Sequence, residues 1–423
     1  MEENRWSWFA LVASILCISL LDGALYSNGI FYKKIAKALN TSEFWVKLAG
    51  SIEVAISSFV AIAAAKLTDK YGPRYVAVGG AIIAATGWFW ASRATDYLEL
   101  VEGQGLLVGT GFGLLYVPGV VAVGGVFSRN RSLALGLTLC GSGAGQVLFG
   151  LLDHYLLKEM VWESCFLYMM CLCLGCAIIA ARFLPNARPA IEVRTDEESE
   201  GEVTSWMARF LGPKIAVQRH ARVFVVFAFG DMLAVMALYL PYSCINELSP
   251  VDEAKYLIAI IGGGSILGRF TSALLCNWAR IQPFFKMCLP TAVLIAAFIP
   301  TIYAFSLGSF TTMAMLCFSL GATSGVWIAA TSPILVQLLG LPQVRKLEIR
   351  LVYSELLLFQ LNTAFGRLTA LRGTGALLAP PFAAELVGLA DRPLLPLFLS
   401  SGLFSGAVVL FALAAFLYKR HEQ

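Results

Sequence analysis

Residues 261–270 read "IGGGSILGRF", an apolar, glycine-rich run that closes on an arginine and a phenylalanine. A guanidinium is a rigid, permanently charged fork that matches the two oxygens of a carboxylate. Arg269 is therefore the first candidate for anion chemistry. A second arginine, Arg372, stands between Leu371 and Gly373 in "RLTALRGTGALL". Three acids occupy equally apolar surroundings: Asp22 in "LLDGALY", Glu53 in "SIEVAI" and Asp231 in "FGDMLA". A carboxyl group withdrawn from water exchanges its proton under different conditions from one in solvent, so each is a candidate proton carrier. Asp231 is the natural partner for either arginine and the leading candidate for a proton site. Lys47 stands six residues from Glu53 and off its helical face. An internal salt bridge is the competing use of both arginines.

The elements that must hold these residues follow from composition. Of 423 residues, 58% are hydrophobic and only 14% charged, where a soluble domain carries about 25% charged residues. The apolar runs are continuous rather than alternating, and about 20 apolar residues cross a bilayer as helix. Within lipid the backbone must satisfy its own hydrogen bonds, so the runs read as twelve spanning helices. They fall near 7–31, 44–66, 75–93, 98–126, 133–155, 164–184, 222–246, 254–278, 284–304, 308–338, 361–389 and 393–418. "MEENRW" is acidic and precedes no cleavage site, so the first run reads as a retained span. Between the sixth and seventh spans lies a polar linker with the charge run "TDEESEGE". The chain thus divides into a six-helix half (1–184), a cytoplasmic linker (185–221) and a second six-helix half (222–423). Lys66, Lys70, Arg74, Arg129, Arg131, Lys419 and Arg420 lie on the side of the N-terminus, which places both termini in the cytoplasm.

Depth gives Arg269 its weight. Counted from Ala254, it lies about 22 Å down its helix at 1.5 Å per residue. An arginine so far inside a core of roughly 30 Å costs at least about 2.5 kcal/mol unless it faces a cavity or a partner. Arg372 lies roughly 16 Å into the eleventh span; Arg367 stands nearer the cytoplasmic end, where its side chain can snorkel. The ten cysteines fall almost wholly within apolar runs and read as small hydrophobes. No histidine is placed for intramembrane chemistry, no Ser–His pair is visible, and the "GTG" at 109–111 follows no strand. No metal, no cofactor and no enzymatic activity are expected.

The loop "KLTDKYGPR" (66–74) supplies Asp69, Lys70, Gly72 and Arg74. It resembles the loop signature of the major facilitator superfamily, with Gly72 in the tight turn. "VFSRNRSLALGLTLCGSGAG" (126–145), with Arg129 and Arg131, is similar to the corresponding loop of the monocarboxylate transporter family. Further similarities are "LPY" (240–242), "GGGSILGR" (262–269), "LGATSGVWIAATSPILVQLLG" (320–340) and "LNTAFGRLTALRGTGALLAPPFAAELVG" (361–388). The resemblance implies an all-α major facilitator fold of twelve transmembrane helices in two halves, which rock about a central site. "ALGLTLCGSGAG" (134–145) and "AFGRLTALRGTGALLAPP" (364–381) echo each other across the halves, with Cys140 opposite Arg372.

The same resemblance implies a substrate-binding role for Arg269. Ser265 stands where proton-coupled members carry an aspartate, and Tyr26 where they carry a lysine. The expected function is transport of a small organic anion, a monocarboxylate, with a proton as candidate co-substrate. The alternatives are a facilitative carrier of neutral or aromatic amino-acid-like solutes and a non-transporting sensor on the same fold. The expected setting is the plasma membrane. The expected partners are the substrate, the lipid bilayer and an accessory membrane glycoprotein, with no nucleic acid. Residues 344–360, "VRKLEIRLVYSELLLFQ", interrupt the family pattern. They read as a retained intron, from a valine codon beginning GT to a glutamine codon CAG, or as an amphipathic cytoplasmic helix.

Overall fold

The computed structural model describes residues 5–127, 131–185, 221–248, 251–278, 310–338, 366–382 and 395–422. The body of the expected linker, the ninth expected span, Arg129 and segment 344–360 lie outside the described residues. Every described element is helical: α1 Arg5–Ser27, a 3-10 turn Asn28–Ile30, α2 Tyr32–Ala38, α3 Glu43–Tyr71 and α4 Pro73–Ala91. There follow α5 Tyr97–Leu100, a π-helical segment Val101–Val108, α6 Gly109–Val126, α7 Arg131–Glu159 and α8 Trp162–Phe183. The later helices are α9 Ala221–Leu248, α10 Val251–Trp278, α11 Phe310–Leu338, α12 366–382 and α13 Leu395–Glu422. Eight helical stretches among the described residues are long and apolar enough to cross a membrane.

Two departures from the expected spans bear on function. The first span is not one helix to residue 31; α1 stops at Ser27 and the chain turns through "NGI". The fourth is not uniform, because its "VEGQGLLV" winds as π-helix. Such segments carry a wider backbone ring and are frequent at functional sites.

Packing is organised around a few close pairs. α1 lies against α7 and α6, α4 against α6 and α8, and α9 against α13. α10 packs on α11 on one side and on α7 on the other. The α10–α11 approach depends on glycines four apart on each helix. A Cβ at Gly264 or Gly268 would collide with the carbonyl oxygens of Phe318 or Ala322. One at Gly321 or Gly325 would collide with those of Ile261 or Ser265. Small-xxx-small faces of this kind let helices pack backbone to backbone within a bilayer.

The loop motif is built around Gly72, which takes φ 86° between α3 and α4. That left-handed region penalises any side chain, so the glycine is needed there. Asp69 and Lys70 occupy the last turn of α3, with the Lys70 ammonium 5.1 Å from the Tyr71 ring centre. Arg74 Nε donates to the Leu184 carbonyl oxygen at 2.8 Å, tying α4 to the end of α8. Arg131 opens α7.

Candidate functional site

A central cavity of about 110 Å³ is walled by eight helices: α1, α3, α6, α7 and α9 to α12. Arg269, Arg372, Tyr26 and Asp22 all line it, together with Phe112, Tyr116, Ser142, Tyr239 and Trp327. Four residues singled out from sequence, drawn from three distant segments, thus meet in one space. The remaining wall is largely apolar and aromatic, the usual setting for a few orienting polar groups.

The two arginines differ in state. Arg372, on α12, is held on both nitrogens of its fork by Asp231 of α9. Nε donates to Oδ2 at 2.5 Å and Nη2 to Oδ1 at 3.1 Å. Nη2 also donates to Thr331 Oγ1 at 2.8 Å, and the guanidinium stands 5.5 Å from the Trp327 ring centre. Asp231 is completely buried. Of the two arginines proposed as its partner, Arg372 is the one it meets.

Arg269, on α10, is 2% exposed. Its Nη1 donates to the backbone carbonyl of Leu139 on α7, at 2.5 Å. Its Nε has no hydrogen-bond partner among the described residues. No carboxylate among the described residues forms an ion pair with it, although Asp22, which lines the same cavity, lies within the field of its charge. A desolvated guanidinium with an unmet donor, on the wall of a cavity, has the geometry to receive a planar oxyanion.

Tyr26 belongs to an aromatic cluster at one end of the cavity. Its ring stacks on Tyr239 at 5.7 Å with an 18° tilt, and lies 5.0 Å from Tyr242. The Tyr242 hydroxyl donates to Gln146 Oε1 at 3.2 Å. Ser265 is elsewhere: it is 2% exposed, one turn before Arg269, with its carbonyl against Gly325 of α11 and off the cavity wall. Glu53 is also off that wall. It accepts from Asn28 and Gln104, while Lys47 pairs with Glu43 at 3.7 Å.

Sequence reasoning assigned no role to Trp327, Tyr116 or Tyr239, although Trp327 and Tyr239 lie in or beside quoted motifs and Tyr116 lies within the fourth expected span. It also passed over Asp153, a fully buried acid on α7, whose signal was a carboxylate within "LLDHYLL". Among the described residues no group of histidines, cysteines and acids could hold a metal ion.

The sequence profile of the Major Facilitator Superfamily matches residues 12–341. Monocarboxylate transporter 13 of Bos taurus is 32% identical over 183 residues, 43% of this chain and 43% of that protein. Monocarboxylate transporter 11 of Homo sapiens is 26% identical over 66% of this chain and 57% of its own length. Monocarboxylate transporter 6 of Homo sapiens is 23% identical over 100% of this chain and 82% of its own length. The chain thus spans less than half of the bovine relative and little more than half of human transporter 11.

Proposed function

Because the chain belongs to the major facilitator superfamily and its described residues build an all-helical membrane fold, we propose that it is a membrane transporter for a small organic anion, a monocarboxylate, bound by Arg269. The observation that carries this is the unpartnered Arg269 Nε, buried on the wall of a cavity that is otherwise apolar and aromatic. A carboxylate placed there satisfies the free donor and neutralises a charge the bilayer core tolerates poorly. The apolar remainder of the cargo meets Phe112, Tyr116 and Trp327.

Asp22 supplies the coupling. Ionised, it partly compensates Arg269 and competes with an incoming carboxylate for the same charge. Protonated, it leaves Arg269 uncompensated, so the anion binds better when the proton is present, and each favours the other. A proton on the wall of the first helix then does the work of the aspartate that Ser265 replaces. In the proposed cycle the halves 1–184 and 222–423 rock about the cavity in the plasma membrane, with both termini in the cytoplasm, and expose it to each side in turn.

A second reading, an amino-acid-like zwitterion, is favoured by the same carboxylate. Asp22, which lines the same cavity, matches an ammonium as Arg269 matches a carboxylate, and the aromatic walls suit an aromatic side chain.

Uptake of labelled short monocarboxylates into cells expressing the chain tests both. External pH of about 6 should increase uptake over about 7.5, and Arg269→Gln should lower it by about ten- to a hundredfold, the value of a lost charge-assisted hydrogen bond. Asp22→Asn should retain uptake while flattening its pH dependence. Loss of aromatic amino-acid uptake in Asp22→Asn, with no monocarboxylate uptake in the wild type, selects the zwitterion.

A further inference from the structure

α1 ends at Ser27, and Ser27 and Asn28 are both buried at the break that follows. Each donates to a different carboxylate. Ser27 Oγ donates to Asp153 Oδ2 on α7 at 2.5 Å, and Asn28 Nδ2 donates to Glu53 Oε2 on α3 at 2.8 Å. Glu53 Oε2 takes a second hydrogen bond, at 2.9 Å, from Gln104 Nε2 in the π-helical segment. The 3-10 turn and the π-helix, two irregular pieces of backbone, therefore converge on one carboxylate.

Glu53 and Asp153 are each completely buried. Each keeps one oxygen, Oε1 and Oδ1, without a hydrogen-bond partner among the described residues. The hydrogen bonds they accept come from neutral groups, and neither forms an ion pair among the described residues.

Around Glu53 the titratable neighbours are Tyr32 of α2 and Cys173 of α8. α6 carries no charged residue, and the arginine of α4, Arg74, is bonded to Leu184 at the opposite end of the bundle. Glu99 of α5 is engaged by Thr95, and Glu102 of the π-segment is exposed. Asp22, the acid of α1, faces the central cavity. On α3 itself Glu43 and Lys47 pair with each other. Around Asp153 the titratable groups are His154, next to it on α7, and Cys165 of α8, a thiol that also lies within the fields of Glu163 of α8 and Lys34 of α2. Lys34 of α2 donates to the Leu157 carbonyl, and Arg269 of α10 lies at the cavity.

We propose that Glu53 and Asp153 form a proton-binding site separate from the central cavity, whose occupation holds the end of α1 closed against α3 and α7. An ionised carboxylate buried with no cation costs several kcal/mol, whereas a neutral acid with one unmet O–H costs about 1–3 kcal/mol. With both protons in place, Oε2 and Oδ2 accept from Asn28, Gln104 and Ser27, and the break is packed. Loss of the protons to water leaves two uncompensated charges on either side of consecutive residues of one turn. They are relieved when water reaches them, which requires the end of α1 to part from α3 and α7. Acid therefore closes this junction and alkali opens it.

The test needs no cargo, so its failure is distinct from failure of the carboxylate reading. Backbone hydrogen exchange of residues 24–34 is measured on the full chain in detergent or lipid discs at about pH 5.5 and about pH 8.5, corrected for intrinsic exchange. The wild type should exchange at least about tenfold faster at the higher pH. The neutral isosteres Glu53→Gln and Asp153→Asn, combined, should stay protected at both. Equal corrected protection of the wild type at both pH values overturns the proposal, as does a double variant that keeps the wild-type profile. Where the double variant does not fold, the wild-type profile and Glu53→Gln alone decide.

Discussion

At the scale of single residues, the structure separates two arginines that look alike in sequence. Both stand in apolar, glycine-bearing runs, and composition alone reveals each as an unexplained charge. Which of them meets an acid was not legible, because Asp231 and Arg372 are 141 residues apart and only the assembled bundle brings α9 to α12. Asp153 was passed over for a related reason. The expected fifth span stopped at residue 155 and left this acid at its margin, whereas α7 runs on to Glu159 and buries it completely. The Asp231–Arg372 pair carries its own prediction. Breaking a buried ion pair from one side strands the other charge, at about 3–5 kcal/mol, while removing both is far less damaging. Asp231→Asn and Arg372→Gln should each lower the melting temperature of the purified protein sharply, and the double substitution should recover most of the loss. Simple addition of the two losses would mean that the charges do not depend on each other.

At the scale of the element, apolar run length was enough to find most helices but not their irregularities. Nothing in "SNGI" or "VEGQGLLV" distinguishes a 3-10 turn or a π-helix from ordinary helix, because both are set by tertiary contacts such as the amides of Asn28 and Gln104 on Glu53. The glycine-rich run of α10 was plain in the sequence, and the structure supplies targets on α11 for Gly264 and Gly268. Gly268→Val should destabilise the protein by about 1–3 kcal/mol, the usual cost of overpacking, and should also depress uptake because Arg269 is the next residue. Gly263 faces open space, so Gly263→Ala should leave the melting temperature near that of the wild type. Equal losses in the two variants would mean that the α10–α11 contact does not set the cost, since both substitutions raise helix propensity over glycine.

At the scale of the molecule, the contacts that link α1 and α7 to α9 and α10 bear on how the whole chain would move. Tyr26 stacks on Tyr239 at one end of the cavity, and α7 packs along α10 beside it. If the two proposed halves rock, the tyrosine contact must open and close in each cycle. Cysteines at 26 and 239, in a background lacking the ten native cysteines, should transport when free and stop when joined by a short bifunctional thiol reagent. Undiminished uptake by the joined protein would mean that the halves do not part there. The helical membrane class was legible from composition and the two-halved fold from family resemblance, whereas the helices that wall the cavity were not, since run lengths do not encode neighbours. One contact within this arrangement bears on how such a protein diversifies. Arg269 rests on the backbone oxygen of Leu139 rather than on a side chain, and a backbone oxygen survives nearly every codon change. Neighbouring positions can therefore drift toward new cargoes while the arginine keeps its posture, so the site combines a mutationally robust anchor with walls that evolution is free to rewrite.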